Sequence, residues 1–229
     1  MEMDEIYGSF RETREELAYY MRRLYLRGLT TCAGGNLSVR PDHRHVIITP
    51  SGPDKGRTKS GKMVLLTMDG TNLTPYLSPS IEASMHLSVY RARPDVRAVV
   101  HAHPPYAASF SAMRADIDTK LTAETYYVLG TPARAGYAPM GSENLAELAA
   151  EAVKAADVVV LENHGILAVG STLILAYERL EVLEAAAKMT IITSLMGCPS
   201  PLPGDRIVDL DIWRAAKAGG PPWSNQGEG

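Results

Sequence analysis

The chain has 229 residues, 45% hydrophobic and 21% charged, an ordinary globular composition that excludes a largely disordered protein and points to one domain, or one domain with a tail. Lys and Arg number 23 against 26 Asp and Glu, a formal net charge of −3 with no long basic run, so neither nucleic acid nor an anionic membrane is indicated as a partner. Cys32 and Cys198 are the only cysteines; they are too few for a disulfide scaffold, lack C-x-x-C spacing, and read as unpaired apolar filler in a reducing compartment. The start Met1-Glu2-Met3-Asp4-Glu5 is acidic where a secretory leader is basic, and no membrane-spanning run of about 18 residues is free of charge, so a cytoplasmic location is expected.

In chain order, Ser9 and Glu12 form a capping box ahead of Leu17, Tyr20, Met21, Leu24 and Tyr25 at helical spacing, with Gly28 as the stop. Residues 30–73 read as a meander of short strands at 36–40, 45–49 and 63–67 between Gly, Pro and Asp clusters. Ser78-Pro79 opens a helix running to Arg93-Pro94, and a strand follows at 96–101. A short helix near 105–113 precedes a strand near 126–129, and Ser142 caps a helix ending near Ala156. The apolar run 157–161 is of buried-strand type and returns as a hairpin at 166–169, so the sheet is mixed. Residues 172–196 carry Leu173, Tyr177, Leu180, Leu183, Ala187, Ile191 and Leu195 on one stripe of a long packing or interface helix. Beyond it, 198–229 is Pro- and Gly-rich with weak periodicity and isolated Trp213 and Trp223.

Function turns on the histidines. His101 and His103 stand two apart, which on a strand puts both imidazoles on one face. That is a bidentate clamp for a metal, or equally a pair of strand residues satisfied by backbone carbonyls. A catalytic metal site needs a third protein ligand, and His164, in Glu162-Asn163-His164-Gly165 at the end of an apolar strand, is the best candidate. His43 and His45 are also two apart, but in a polar turn with Arg44 between them, and read as a surface loop. Glu82, early in its helix, has the chemistry of a carbon acid–base beside a metal-bound carbonyl compound, or of a helix N-terminal acid favoured by the dipole. His86, one turn later, reads as an internal packing or hydrogen-bonding group.

Five motifs occur in order: Gly34-Gly35-Asn36-Leu37-Ser38, Thr49-Pro50-Ser51-Gly52, Pro79-Ser80-Ile81-Glu82, the stretch from Arg93 to His103, and Glu162-Asn163-His164-Gly165. Together they resemble the class II aldolase/adducin family over roughly residues 10–197, with L-fuculose-1-phosphate aldolases as the closest-looking members. The resemblance implies a three-layer α/β/α sandwich around a mixed, largely antiparallel sheet, with 1–197 as the catalytic domain and 198–229 as a lid or subunit-contact arm. It implies zinc, or cobalt or manganese, on His101, His103 and His164, and Glu82 as the proton shuttle. It also implies a phosphate cradle from Gly35, Asn36, Ser51, Gly52 and Ser80, which has a physical basis in small residues and turns that aim N–H groups at an anion. Tyr126 or Tyr127 takes the place of the tyrosine that protonates the departing aldehyde. A C4 homotetramer with sites between subunits is implied as well.

The implied reaction is cleavage of a ketose 1-phosphate to dihydroxyacetone phosphate and an aldehyde through a metal-stabilised enediolate. Alternatives are a metal-dependent decarboxylase of a sugar-acid phosphate, then a pentulose-phosphate 4-epimerase, then a non-catalytic adducin-like scaffold. Epimerases resembling the family carry aspartate where Glu82 stands, and scaffolds are expected to lack the ligand set that this chain keeps. Two departures bear on the phosphate: Ala33 replaces a hydroxyl residue of the sugar-phosphate aldolases and Ile81 replaces a second serine. Lys55 and Arg57 add charge nearby, in what reads as a solvated basic loop.

Overall fold

A computed structural model describes residues 7–52 and 54–216. The first helix, α1 (Arg11–Leu26), turns Leu17, Ala18, Tyr20, Met21 and Leu24 inward. The N-cap is Phe10 rather than the expected Ser9, and Phe10 makes no side-chain cap bond. Residues 7–9 are already helical, with the Tyr7 hydroxyl donating to Met63 O at 2.8 Å and the Arg14 guanidinium over its ring.

Strands β1 (Asn36–Val39), β2 (His45–Ile48) and β3 (Val64–Thr67) form the expected meander. The next helix, α2 (Ala83–Ala92), begins later than Ser78-Pro79, with Glu82 as its N-cap. The reason is competition from pairing: Pro79 bridges Pro50, Ser51 N donates to Ser78 O, and Ser80 N donates to Thr49 O. Then come β4 (Ala98–Ala102) and α3 (Pro105–Ser111).

The segment expected as a strand near 126–129 is instead helix α4 (Ala123–Leu129). Its local chemistry is that of a helix: the Thr122 hydroxyl caps Thr125 N, Glu124 lies in the first turn, and Gly130, at φ +61°, ends it. The strand lies just beyond, as β5 (Ala133–Ala135). Helix α5 (Glu143–Ala152) is capped by Ser142, strands β6 (Val158–Leu161) and β7 (Gly165–Gly170) form a hairpin, and α6 (Leu173–Met196) is capped by Thr172.

The seven strands lie in the order β3-β2-β1-β4-β7-β6-β5, antiparallel except for the parallel pair β5 and β6. Alternation along the strands splits the core in two. Leu37, Val100, Ala102 and Ile166 face α1, α3, α4 and α6, while Val99, Leu161, Leu167 and Val169 face α2 and α5. This is the expected α/β/α sandwich around a mixed, largely antiparallel sheet.

The terminal segment is more ordered than its composition suggests. Helix α7 (Gly204–Ala216) docks on α4, where Tyr126 Oη donates to Asp211 at 3.1 Å and 3.2 Å. Residues 217–229, Trp223 among them, lie outside the described residues, as do 1–6. Cys32 and Cys198 are free, as expected, but exposed rather than apolar filler. His45 is no loose surface group: it opens β2, rests against Phe10 and bonds Asp42. No helix among the described residues is long and apolar enough to cross a membrane.

Candidate active site

The site lies where β1, β4 and the β6–β7 turn end together. Asn36 pairs with His101 across β1 and β4, and His101 pairs with Leu167 across β4 and β7. His103, just past β4, keeps the facing of His101 by strand alternation. The hairpin register of Leu161 on Gly165 leaves Glu162, Asn163 and His164 as the turn, with Asn163 at φ +52°. Gly165 is forced by packing, since a Cβ there would overlap the His103 ring and meet Ala102 O at 2.8 Å. At Gly35, φ is +71° and a Cβ would stand 2.9 Å from His101 O.

His101 is fully buried, and its Nδ1 lies 3.0 Å from Ile166 O. A carbonyl only accepts, so Nδ1 carries the proton and Nε2 keeps a lone pair aimed into the site. That Nε2 is 3.1 Å from His103 Nε2 and 3.3 Å from Glu82 Oε2, while His164 Nε2 is 3.2 Å from Glu82 Oε1. Ligand atoms of all three histidines lie within 4.8 Å of one another. Two imidazole nitrogens this close need a proton or a cation between them. Glu82 Oε1 and His164 Nδ1 are buried without a hydrogen-bond partner. Three convergent imidazoles with a carboxylate alongside are a donor set that fits a divalent metal.

The electrostatics agree. Burial pushes His101 down to about 3, with Glu82 opposing, and burial lowers His103, so both are neutral, as ligation requires. Burial alone would raise Glu82, but its interaction with His101 and its hydrogen bonding to His164 and Asn36 outweigh it and hold the carboxyl well below its ordinary range.

Behind Glu82 runs a chain of hydrogen bonds. Asn36 Nδ2 donates to Glu82 Oε2 at 2.8 Å, so Asn36 Oδ1 accepts from His86 Nε2 at 2.5 Å. His86 Nδ1 then accepts from Ser38 Oγ at 2.6 Å, and Ser38 Oγ accepts from Tyr90 Oη at 2.8 Å. His86 is fully buried and pushed down to about 4, chiefly by desolvation, and is the internal hydrogen-bonding group the sequence suggested.

A cavity of about 340 Å³ opens over this centre. Its wall includes Gly35, Asn36, Ser51, Gly52 and Ser80, all the residues of the implied cradle, together with Glu82, His103 and His164. His101 sits behind the wall. Tyr126 and Tyr127 do not line it; both stand on α4, and Tyr126 is taken up by Asp211. Sequence reasoning missed Met140 and Asn163, which line the cavity, and misread Lys55. Arg57 is exposed and near Asp54, as a solvated residue would be, but Lys55 is only 5% exposed and lines the cavity. The sign of this was its position three residues past Gly52, where a tight turn folds back on the site.

A profile of the class II aldolase and adducin N-terminal domain matches residues 15–191. The chain belongs to this family. It is an enzyme of the metal-dependent class II aldolase group. It is 34% identical over 201 residues to the 5-deoxy-D-ribulose 1-phosphate aldolase of Bacillus thuringiensis serovar kurstaki, covering 86% of this chain and 92% of the relative. It is equally 34% identical, over 181 residues, to the 3-oxo-tetronate 4-phosphate decarboxylase of Haemophilus influenzae, covering 77% and 85%. Among solved structures, an L-fuculose 1-phosphate aldolase superposes with a TM-score of 0.81 at 32% identity, covering 88% of this chain and 95% of that one.

Proposed function

We propose that this enzyme is a zinc-dependent aldolase that cleaves a ketose 1-phosphate to dihydroxyacetone phosphate and an aldehyde. The observation that carries the reading is the Glu82 carboxylate, 3.2–3.3 Å from two imidazoles of a three-histidine cluster, at one end of a cavity whose other wall is glycine and serine turns. The names of the relatives support a sugar phosphate as substrate. Zinc suits three imidazoles and one open position, and cobalt or manganese are the other candidates. The metal supplies electrophilic stabilisation of the negative charge that grows on the substrate oxygens beside the breaking bond.

The residues of this chain do the rest. In cleavage the C4 hydroxyl loses its proton, the C3–C4 bond breaks with its electrons left on the C3 side, and Glu82 delivers a proton to C3. In condensation Glu82 takes that proton back. Asn36 and His86 hold the carboxylate, and Gly35, Ser51, Gly52 and Ser80 receive the phosphate. Tyr126 and Tyr127 lie outside the cavity of their own chain, so the hydroxyl that exchanges a proton with the aldehyde oxygen belongs to a neighbouring subunit. Tyr127 is the better assigned, because the Tyr126 hydroxyl is committed to Asp211. Exposed Ile81, Tyr137 and Met140, at 61%, 61% and 65%, support a subunit boundary near the cavity and, with it, the C4 homotetramer.

The relative named as a decarboxylase favours a second reading: the same carboxylate and metal would serve loss of carbon dioxide from a 3-oxo-acid phosphate. A panel of ketose 1-phosphates and 3-oxo-acid phosphates separates the two. Dihydroxyacetone phosphate from at least one sugar is expected; carbon dioxide alone would replace the aldolase reading.

A further inference from the structure

Lys55 begins a short 3-10 turn, Lys55–Arg57. Its backbone N–H donates to Cys32 O at 2.8 Å, which straps this turn to the loop carrying Gly34 and Gly35. The side chain is 5% exposed and lines the cavity beside Ser51, Gly52 and Ser80. Its ammonium has three donors, and among the described residues one is used, on Pro50 O at 3.0 Å. No ion pair among the described residues takes it. A buried ammonium with two donors unspent is costly unless an anion arrives to pair it.

The rest of the wall is short of donors. Ala33 and Ile81 offer no side-chain donor, and one of the two N–H donors of the Asn36 amide is spent on Glu82. The backbone N–H of Ser51 goes to Ser78 O, that of Ser80 to Thr49 O, and that of Gly34 to the Thr31 hydroxyl. The Ser51 and Ser80 hydroxyls and the turn amides supply hydrogen bonds to a phosphate dianion but no countercharge, and a charge-assisted bond is about twice as strong as a neutral one.

Resting on the sugar-phosphate reading above, we infer that Lys55 is the cationic anchor of the substrate phosphate, the residue that selects a phosphorylated over an unphosphorylated ketone. It lines the cavity together with Ser51, Gly52 and Ser80; its charge is felt at Glu82, but it makes no ion pair with that carboxylate among the described residues, so its first effect is on substrate binding.

The test is calorimetric binding of dihydroxyacetone phosphate and of dihydroxyacetone to the metal-loaded wild type, Lys55→Gln and Lys55→Met. Lys55→Gln keeps a donor for Pro50 O, so it guards against a folding defect in the apolar variant. The wild type is expected to bind the phosphate ester far more tightly than the ketone. Either substitution should weaken the ester by about 10- to 100-fold, the range of one charge-assisted hydrogen bond, and leave the ketone and the metal content within twofold. Variants that bind the ester like the wild type would overturn the role of Lys55 and leave the sugar-phosphate reading standing. A wild type that does not distinguish ester from ketone would overturn both.

Discussion

The Asn36 side-chain amide donates to Glu82 Oε2 at 2.8 Å, so a strand residue aims the carboxylate that sits on the cap of α2. Asn36→Asp exchanges that donor for a second carboxylate. Like charge favours the protonated form, so the acid limb of the pH–rate profile should move up by about one unit or more while metal content stays near wild type. An unmoved limb would show that Asn36 does not set the state of Glu82.

Glu82→Gln keeps the size and one oxygen of the side chain and removes its basicity. Turnover should fall by about 10²–10⁴-fold, the usual range for a general acid–base, with bound metal unchanged by elemental analysis. A rate near wild type would remove Glu82 from the mechanism.

His86 makes the stability of the metal-free protein depend on pH. It is buried and pushed down to about 4, so between pH 4 and its unfolded value, about 6.5, the unfolded chain binds more protons. Its contribution is then complete above about pH 6.5 and is lost as pH falls toward 4, a difference on the order of 3 kcal/mol. His101, pushed down to about 3 by burial, acts in the same direction. Urea melts of the metal-free protein at pH 7.5 and 5 should differ in midpoint. In His86→Leu the pH slope should shrink and the baseline stability fall by about 2–4 kcal/mol, because Asn36 Oδ1 and Ser38 Oγ each lose a buried partner.

Gly165→Ala drives a methyl group into the His103 ring. Metal affinity should drop by about 10- to 100-fold, as it does when a ligand loses its support, with the far-UV spectrum retained. Wild-type affinity would mean that His103 is not fixed by this contact.

Much of this was legible in the sequence. The histidine pair and His164 stand out by spacing and strand ends, and the cradle residues through the family resemblance; both rest on short stretches of strand and turn that survive an error in element boundaries. What was not legible depended on competition. Ser78-Pro79 has a helix-opening signature, yet it pairs with 49–51 because that pairing satisfies the backbone of two turns that share the site. Tyr126 and Tyr127 look like strand residues by type, but Thr122 and Gly130 bracket them as a single helix. Helix α7 half-buries a narrow stripe, Ile207, Leu210 and Arg214, beside the Asp211 contact with Tyr126, too little to register as periodicity in a Pro- and Gly-rich segment. Lys55 was misread because a lysine in a polar turn is usually solvated, and only the fold shows this turn closing over the cavity.

The central claim is that Glu82, beside the three-histidine metal centre, moves a proton at carbon. Incubating dihydroxyacetone phosphate alone with the zinc-loaded enzyme in deuterium oxide tests it without knowledge of the aldehyde. Proton NMR should show one of the two hydrogens of the hydroxymethyl carbon exchanging stereospecifically, with exchange lost in Glu82→Gln and on chelation of the metal. No exchange by the zinc-loaded wild type, or undiminished exchange in Glu82→Gln, would contradict the account.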